Sequence, residues 1–136
     1  MIILDTSVWI EYFRQNEPIA EQVSTLLANQ KVTAVEAVFA ELMFGVRYAQ
    51  ERNVIRTFWQ ILPRADLGEE SLFKTSDFAF QYDYQGKGIG LIDALIIRAA
   101  QIGSHQLWTL DERIISIVDN VQLFHASDFE PNEDIQ

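Results

Sequence analysis

The first residues of the chain place a carboxylate at the end of a short apolar run. Ile2–Leu4 is followed directly by Asp5, Thr6 and Ser7, and then by a second apolar stretch. This pattern predicts a buried strand that ends where a helix begins. Asp, Thr and Ser are also the commonest N-cap residues, so a capping role and a functional role for Asp5 are both open at this junction.

Further short apolar runs alternate with stretches of helical periodicity along the chain. The predicted strands are Ile2–Leu4, Lys31–Val35, Gln106–Leu110 and Val121–Phe124. The predicted helices are one that begins at Ser7 and six over Pro18–Ala28, Glu36–Gln50, Asn53–Leu62, Glu69–Tyr84, Leu91–Ile102 and Asp111–Asp119. Glycines predict a flexible turn in QGKGIG and a helix end at Gly103. Strands alternating with helices predict an α/β fold with a central, mainly parallel β-sheet flanked by helices.

The composition restricts the classes of protein to which the chain can belong. Its 136 residues are expected to form one domain with a soft acidic tail from about residue 128 to 136, and a hydrophobic content of 49% is typical of a globular protein. The chain has no cysteine, which excludes disulfides and thiolate zinc sites. No stretch approaches the ~20 apolar residues of a membrane helix, so we expect a cytoplasmic protein.

The charge of the chain is strongly negative but unevenly distributed. With 20 acidic and 10 basic residues the net charge is -10, which argues against a protein that coats nucleic acid through bulk attraction. Between Arg47 and Arg64, however, four arginines accompany a single acid, Glu51. A local contact with an anionic partner is therefore compatible with this sequence.

Two acids follow predicted strands, and a third lies inside a predicted helix. Asp5 and Asp111 each follow an apolar run, and parallel sheets bind ligands beyond the carboxyl ends of their strands. Each of the two could instead be only an N-cap. Glu41 has Ala37 and Gly45 four residues away on either side, so a ligand can approach it closely. A solvated helix position is the alternative for Glu41.

Asp93 is the acid that most needs a partner. It lies in the first turn of an otherwise apolar helix, LIDALIIRAAQI. Burying an unpaired carboxylate costs several kcal/mol, of which a helix N-terminus offsets only ~0.3–1 kcal/mol. If the four acids converge, each close pair repels by roughly 4 kcal/mol at an effective dielectric near 20, so protons or divalent cations must relieve the repulsion.

An all-oxygen set of ligands favours particular metals and a particular chemistry. Without cysteine or a well-placed histidine, four carboxylates favour Mg²⁺ or Mn²⁺ over Zn²⁺. A common task of such a site is to activate water and to stabilise both oxygens during displacement at a phosphodiester.

Four segments in order give the chain a family resemblance. IILDTSVWI, AELMFGV, GIGLIDALIIRAA and LWTLDERI resemble, in this order and spacing, the PIN-domain ribonucleases, and most closely the VapC-type toxins of bacterial toxin–antitoxin pairs. The resemblance extends from residue 2 to about 124. It implies that the metal-binding and catalytic acids are Asp5, Glu41, Asp93 and Asp111. It also implies that the hydroxyls of Thr6 and Thr109 help to hold the site.

The resemblance implies a Mg²⁺- or Mn²⁺-dependent endoribonuclease that cleaves RNA and is inhibited by a cognate antitoxin protein. One position departs from the family pattern, because many relatives carry a further acid two residues after the position of Asp111. Arg113 stands there in this chain, which leaves open whether one metal or two bind.

RNA or a partner protein is expected to contact basic side chains. The candidates are Arg52 and Arg56, four residues apart on one predicted helix, and Lys87 between two glycines. A solvated face is the alternative for the two arginines. A homodimer is expected from the resemblance and from an excess of aromatic residues for two helices to bury, namely Phe39, Phe44, Phe58 and Trp59.

Other classes of protein fit the sequence less well. A haloacid-dehalogenase-like phosphatase needs a second Asp two positions after the first, where this chain has Ser7. A zinc hydrolase is disfavoured because His105 and His125 lie far apart from other candidate ligands in the sequence. A PIN-like module that binds RNA or protein without catalysis is a further alternative, against which the four intact acids argue.

Overall fold

Three short parallel strands form the centre of the fold. In a computed structural model, which describes residues 1–125 and 127, the sheet consists of β1 (Ile2–Leu4), β2 (Val32–Thr33) and β3 (Gln106–Trp108), in the order β2–β1–β3. Ile2 of the central strand is opposite Val32 on one side and Gln106 on the other, and both pairings are parallel. The predicted α/β fold with a mainly parallel sheet is therefore confirmed.

Helices surround this sheet. The α-helices of the described residues are α1 (Thr6–Phe13), α2 (Ile19–Ala28), α3 (Glu36–Gly45), α4 (Ala49–Ile61), α5 (Ser71–Gln81), α6 (Leu91–Gly103) and α7 (Glu112–Ile117). Helix α5 packs along α6, α1 packs on α2 and α3, and α3 also contacts α4. None of these helices is both long and apolar enough to cross a membrane.

Three predicted strands are shorter than the sequence pattern indicated, and the run Gln106–Leu110 is a strand only over Gln106–Trp108. The run Lys31–Val35 pairs as a strand only at Val32–Thr33, and Ala34 then forms an isolated parallel bridge with Arg64. The predicted last strand, Val121–Phe124, is reduced to one bridge between Leu123 and Leu107 of β3. At the edges of this small sheet, only part of each run finds a partner for pairing.

The predicted division between α3 and α4 was wrong. The pattern placed one helix over Glu36–Gln50 and the next from Asn53, whereas α3 ends at Gly45 and α4 already begins at Ala49. Val46 is extended, with φ -102° and ψ 147°, which stops the helical hydrogen-bond ladder. The Arg52 guanidinium donates to the carbonyl of Met43, so α4 itself satisfies one of the carbonyls at the end of α3.

The end of α6 also differs from the prediction. Gly103 was expected to cap the helix, but it is the last helical residue, and Ser104 takes the left-handed conformation with φ 54°. A Cβ at position 103 would collide with the ring of His105, so a larger residue there would require that side chain to move. The predicted glycine turn is present and contains a 3₁₀ turn, Gln85–Lys87, followed by Gly88 at φ 81°.

The core surrounds β1 and α6. All three residues of β1 are buried, as are Val8 and Trp9 of α1 and the Ala94–Ile97 segment of α6. The Trp9 ring packs against the Phe39 ring at a centroid distance of 5.3 Å, which ties α1 to α3. Packing on both faces of β1 fixes its carboxyl end, where Asp5 begins the candidate site.

Candidate active site

Asp5 lies at the carboxyl end of β1 and is almost completely buried, with 6% of its surface exposed. Its backbone N–H donates to the carbonyl of Trp108 at 2.9 Å, which continues the pairing of β1 with β3. The carboxylate accepts from the backbone N–H of Thr6 at 2.8 Å, from the hydroxyl of Thr109 at 2.7 Å and from that of Ser7 at 3.1 Å. Asp5 is thus the N-cap residue of α1 and also a link between two strand ends.

Thr109 and Ser7 connect the two strand-to-helix junctions. The Thr109 hydroxyl donates to Asp5 and accepts from the backbone N–H of Asp111 at 3.0 Å. The Ser7 hydroxyl donates to Asp5 and accepts from the backbone N–H of Leu110 at 3.2 Å. Ser7 was considered only as a helix cap in the sequence, where nothing signals its contact with the distant β3–α7 junction.

Glu41 reaches the same region from α3. Its side chain is exposed, and its Oε1 accepts from the hydroxyl of Thr6 at 2.9 Å. Thr6 and Glu41 also line one end of a groove of about 490 Å³, whose other walls come from α1, α3 and α4. The two predicted supporting hydroxyls, those of Thr6 and Thr109, therefore each contact one of the predicted acids.

The environment of Asp93 disfavours its ionised form. Its side chain is 30% exposed at the start of α6. Burial raises its pKa first, and the negative charges of Asp5, Asp111 and Glu41 raise it further, while Arg113 lowers it. Hydrogen bonds of Thr6 and Thr109 and the ion pairs of Arg113 link the four acids directly, so the fold brings all four into one neighbourhood.

Arg113 lies across two of the acids. Its Nη2 is 2.9 Å from Asp111 Oδ2 and 4.0 Å from Asp93 Oδ2, and its Nε donates to Asp111 Oδ1 at 3.3 Å. Its Nη1 donates to the carbonyl of Gly88 at 3.1 Å. The side-chain hydrogen bond with Arg113 is the main reason that the pKa of Asp111 is lowered. Arg113, the residue that departs from the family pattern, is thus the cation beside the acidic cluster, which consists of Asp5, Glu41, Asp93 and Asp111.

The oxygen ligands of the four acids suit a hard divalent cation, but their side chains are not arranged around a common metal position in this structure. Across the part of the chain that the structure describes, no three His, Cys, Asp or Glu side chains are disposed to hold a metal ion. The carboxylates of Asp5 and Asp111 instead face hydroxyls, backbone N–H groups and Arg113. Four carboxylates without sulfur ligands still match the oxygen preference of Mg²⁺ or Mn²⁺.

The basic candidates lie in two different places. Lys87 is exposed in the turn whose Gly88 carbonyl accepts from Arg113, so this turn adjoins the acidic cluster. Arg52 and Arg56 line a separate groove of about 450 Å³ between α3 and α4, to which none of the four acids contributes. The structure therefore places the turn that carries Lys87 beside Arg113, whereas the two arginines line a groove apart from the acids.

A family model and several solved structures resemble this chain over nearly its whole length. The sequence model of the PIN domain matches residues 2–120. VapBC2 from Rickettsia felis, solved bound to a DNA fragment from the promoter, has a TM-score of 0.72 at 21% identity over 91% of this chain and 98% of that chain. VapBC-1 from nontypeable Haemophilus influenzae has a TM-score of 0.69 at 27% identity over 94% and 100%. FitAcB from Neisseria gonorrhoeae gives 0.63 at 21% identity over 94% and 99%. A search of curated proteins found no match.

Proposed function

The chain belongs to the PIN-domain family, and on this basis we propose that it is a Mg²⁺- or Mn²⁺-dependent endoribonuclease that acts as the toxin of a toxin–antitoxin pair. PIN domains are nucleases, which supports hydrolysis of a phosphodiester. The observation that carries the proposal is the set of contacts that links the four carboxylates. Thr6 bonds to both Asp5 and Glu41, Thr109 bonds to Asp5 and to the backbone of Asp111, and Arg113 lies 2.9 Å from Asp111 and 4.0 Å from Asp93.

The acidic residues would hold the metal, and hydroxyls would hold the acids. Asp5, Glu41, Asp93 and Asp111 are the proposed metal ligands. A bound divalent cation would activate water and stabilise negative charge on the phosphodiester oxygens. The Thr6 hydroxyl fixes Glu41, and those of Ser7 and Thr109 fix Asp5 through hydrogen bonds of 2.7 to 3.1 Å. These contacts limit the rotation of the Asp5 and Glu41 carboxylates.

The proposed RNA contact lies beside the acids. A chain with net charge -10 does not attract RNA in bulk, so a local cation is needed to bind phosphate. Lys87 is suited to this role, because its turn contacts Arg113 through Gly88. Arg52 and Arg56 line a groove apart from the acids, which favours contact with a partner protein for these two residues.

The proposed partners are an antitoxin and a second copy of the chain. The antitoxin is proposed because similar folds occur in toxin–antitoxin complexes, among them one from Klebsiella pneumoniae with a TM-score of 0.67. The homodimer is proposed because aromatic side chains remain at the surface, with Phe44 91% exposed, whereas Phe39 is buried in the core. A cytoplasmic location remains part of this proposal.

Cleavage of a pooled RNA substrate tests the enzymatic part of the proposal. The parent should cleave with Mn²⁺ or Mg²⁺ and not with EDTA. Asp93→Asn keeps the shape of the side chain but removes its charge, so it should lose cleavage in every condition. Lys74→Gln, an exposed change on α5, is the control and should cleave like the parent. Equal cleavage by the parent and Asp93→Asn would refute the assignment.

A non-catalytic binding module is the second candidate, and one observation favours it. Arg113 already neutralises part of the acidic cluster, and no metal-holding arrangement is present among residues 1–125 and 127. A protein of this kind would bind RNA without cleaving it, with the same affinity in Mn²⁺ and in EDTA. The cleavage experiment separates the two candidates, because only the nuclease shows a metal-dependent product.

A further inference from the structure

Arg113 and the acidic cluster form a cation–anion arrangement that is complete within the protein. One guanidinium nitrogen contacts Asp111 at 2.9 Å and approaches Asp93 at 4.0 Å, and another donates to the Gly88 carbonyl at 3.1 Å. Both oxygens of Asp111 accept from Arg113, Oδ1 from Nε and from the backbone N–H and Oδ2 from Nη2. Each oxygen of the carboxylate that follows β3 is thus contacted by the Arg113 side chain.

A metal ion and Arg113 need the same atoms. A divalent cation bound by Asp111 takes one or both of its carboxylate oxygens, which Arg113 already occupies through Nε and Nη2. Binding of a second cation at the same oxygens is disfavoured, because the two positive charges repel each other at such distances. The Arg113 side chain is 60% exposed, so it can swing into solvent without leaving a cavity.

We propose that Arg113 is a tethered counter-cation that competes with the divalent metal for Asp111 and Asp93, and that it must leave Asp111 for the metal to bind. This inference rests on the proposed metal site. It gives Arg113 two opposite effects: the side chain stabilises the metal-free protein by relieving repulsion, and it weakens metal binding by occupying ligand oxygens.

These two effects have distinguishable consequences. Arg113→Gln should lower the melting temperature in EDTA, since the repelling acids lose their cation. The same change should lower the Kd for Mn²⁺ by roughly three- to tenfold, because a half-exposed charge-assisted pair no longer competes. If Arg113 had only a structural role, its removal would instead leave the affinity for metal unchanged or weaken it.

Calorimetric titration of the RNA-free protein with MnCl₂ measures the competition without reference to activity. The proteins compared are the parent, Arg113→Gln, Arg113→Lys and Asp93→Asn, with Lys74→Gln as a control that removes one exposed positive charge elsewhere. Arg113→Lys keeps the charge but loses the two-point contact with Asp111, so its Kd should lie between those of the parent and Arg113→Gln. Lys74→Gln should bind Mn²⁺ like the parent.

The outcomes separate this inference from the proposed function. Tighter binding by Arg113→Gln, with a lower metal-free melting temperature, supports the inference. Equal or weaker binding by Arg113→Gln, while the parent binds Mn²⁺ and Asp93→Asn does not, overturns it and leaves the metal site standing. No binding by the parent overturns both. Should Arg113→Gln fail to fold, Arg113→Lys decides, and a Kd equal to the parent's overturns the inference.

Discussion

Removal of the Thr109 hydroxyl should show how strongly the two strand ends are tied together. Thr109→Val keeps the shape of a buried side chain but removes the donor to Asp5 at 2.7 Å and the acceptor for the Asp111 N–H at 3.0 Å. A hydrogen bond to a charged group contributes ~1.5–3 kcal/mol. Asp5 retains its contacts with Thr6 and Ser7, so we expect a loss of ~2 kcal/mol in the free energy of unfolding. For a chain of this size that loss lowers the melting temperature by roughly 6–10 °C.

The chain offers a matched control for this change. Thr75 is completely buried on α5, and its hydroxyl has no hydrogen-bond partner among the described residues. Thr75→Val should therefore be neutral or stabilising, because it removes an unpaired buried polar group. Urea unfolding of both variants and the parent in EDTA measures the difference. Equal changes in the two variants would show that the Thr109 contacts do not hold the site together.

Three further predictions concern pH, metal and assembly. The pKa of Asp93 is raised in the folded state, so its stabilising contribution is complete below its unfolded pKa and is lost as the pH rises through its folded pKa. Urea unfolding in EDTA should show that the free energy of unfolding declines over this range in the parent but not in Asp93→Asn, and parallel pH profiles for the two proteins would contradict this. A hundredfold excess of Mn²⁺ over its Kd should stabilise the parent by ~2.7 kcal/mol and raise its melting temperature, whereas the melting temperatures of Asp93→Asn and Asp5→Asn should hardly change. Equal increases in all three proteins would argue against a shared metal site. Sedimentation at micromolar concentration should show a dimer, which Phe44→Ser should weaken because Phe44 is exposed; a parent that sediments only as a monomer would count against the proposed homodimer.

The parts of the fold that local chemistry determines could be predicted from the sequence. The bounds of β1 were predicted correctly, because a short apolar run followed by Asp, Thr and Ser is typical of a buried strand that ends where a helix begins. The position of Asp5 at the strand end follows from the same pattern. Asp93 could be singled out because a carboxylate in an apolar helix requires a partner, and the structure places the Arg113 guanidinium 4.0 Å from it.

Contacts between distant segments could not be predicted in this way. Ser7 looks like a helix cap, and only the pairing of β1 with β3 brings its hydroxyl to the Leu110 N–H. Arg113 was noticed only as a departure from a family pattern, and its contacts with Asp93 and Gly88 depend on how α6 and α7 lie beside each other. The helical periodicity carries no signal for the break between α3 and α4, where Val46 is extended and Arg52 donates to the Met43 carbonyl.

The acidic cluster can be examined by diffraction from crystals of the parent soaked in MnCl₂, with data collected at the manganese absorption edge. A shared metal site predicts an anomalous peak within ~2.1 Å of carboxylate oxygens from at least two of Asp5, Glu41, Asp93 and Asp111, with the Arg113 guanidinium withdrawn from Asp111. Full occupancy of Arg113 on Asp111 in a crystal without a peak at the cluster, or a peak only at other surface carboxylates, would contradict a metal-dependent nuclease site at this edge of the sheet.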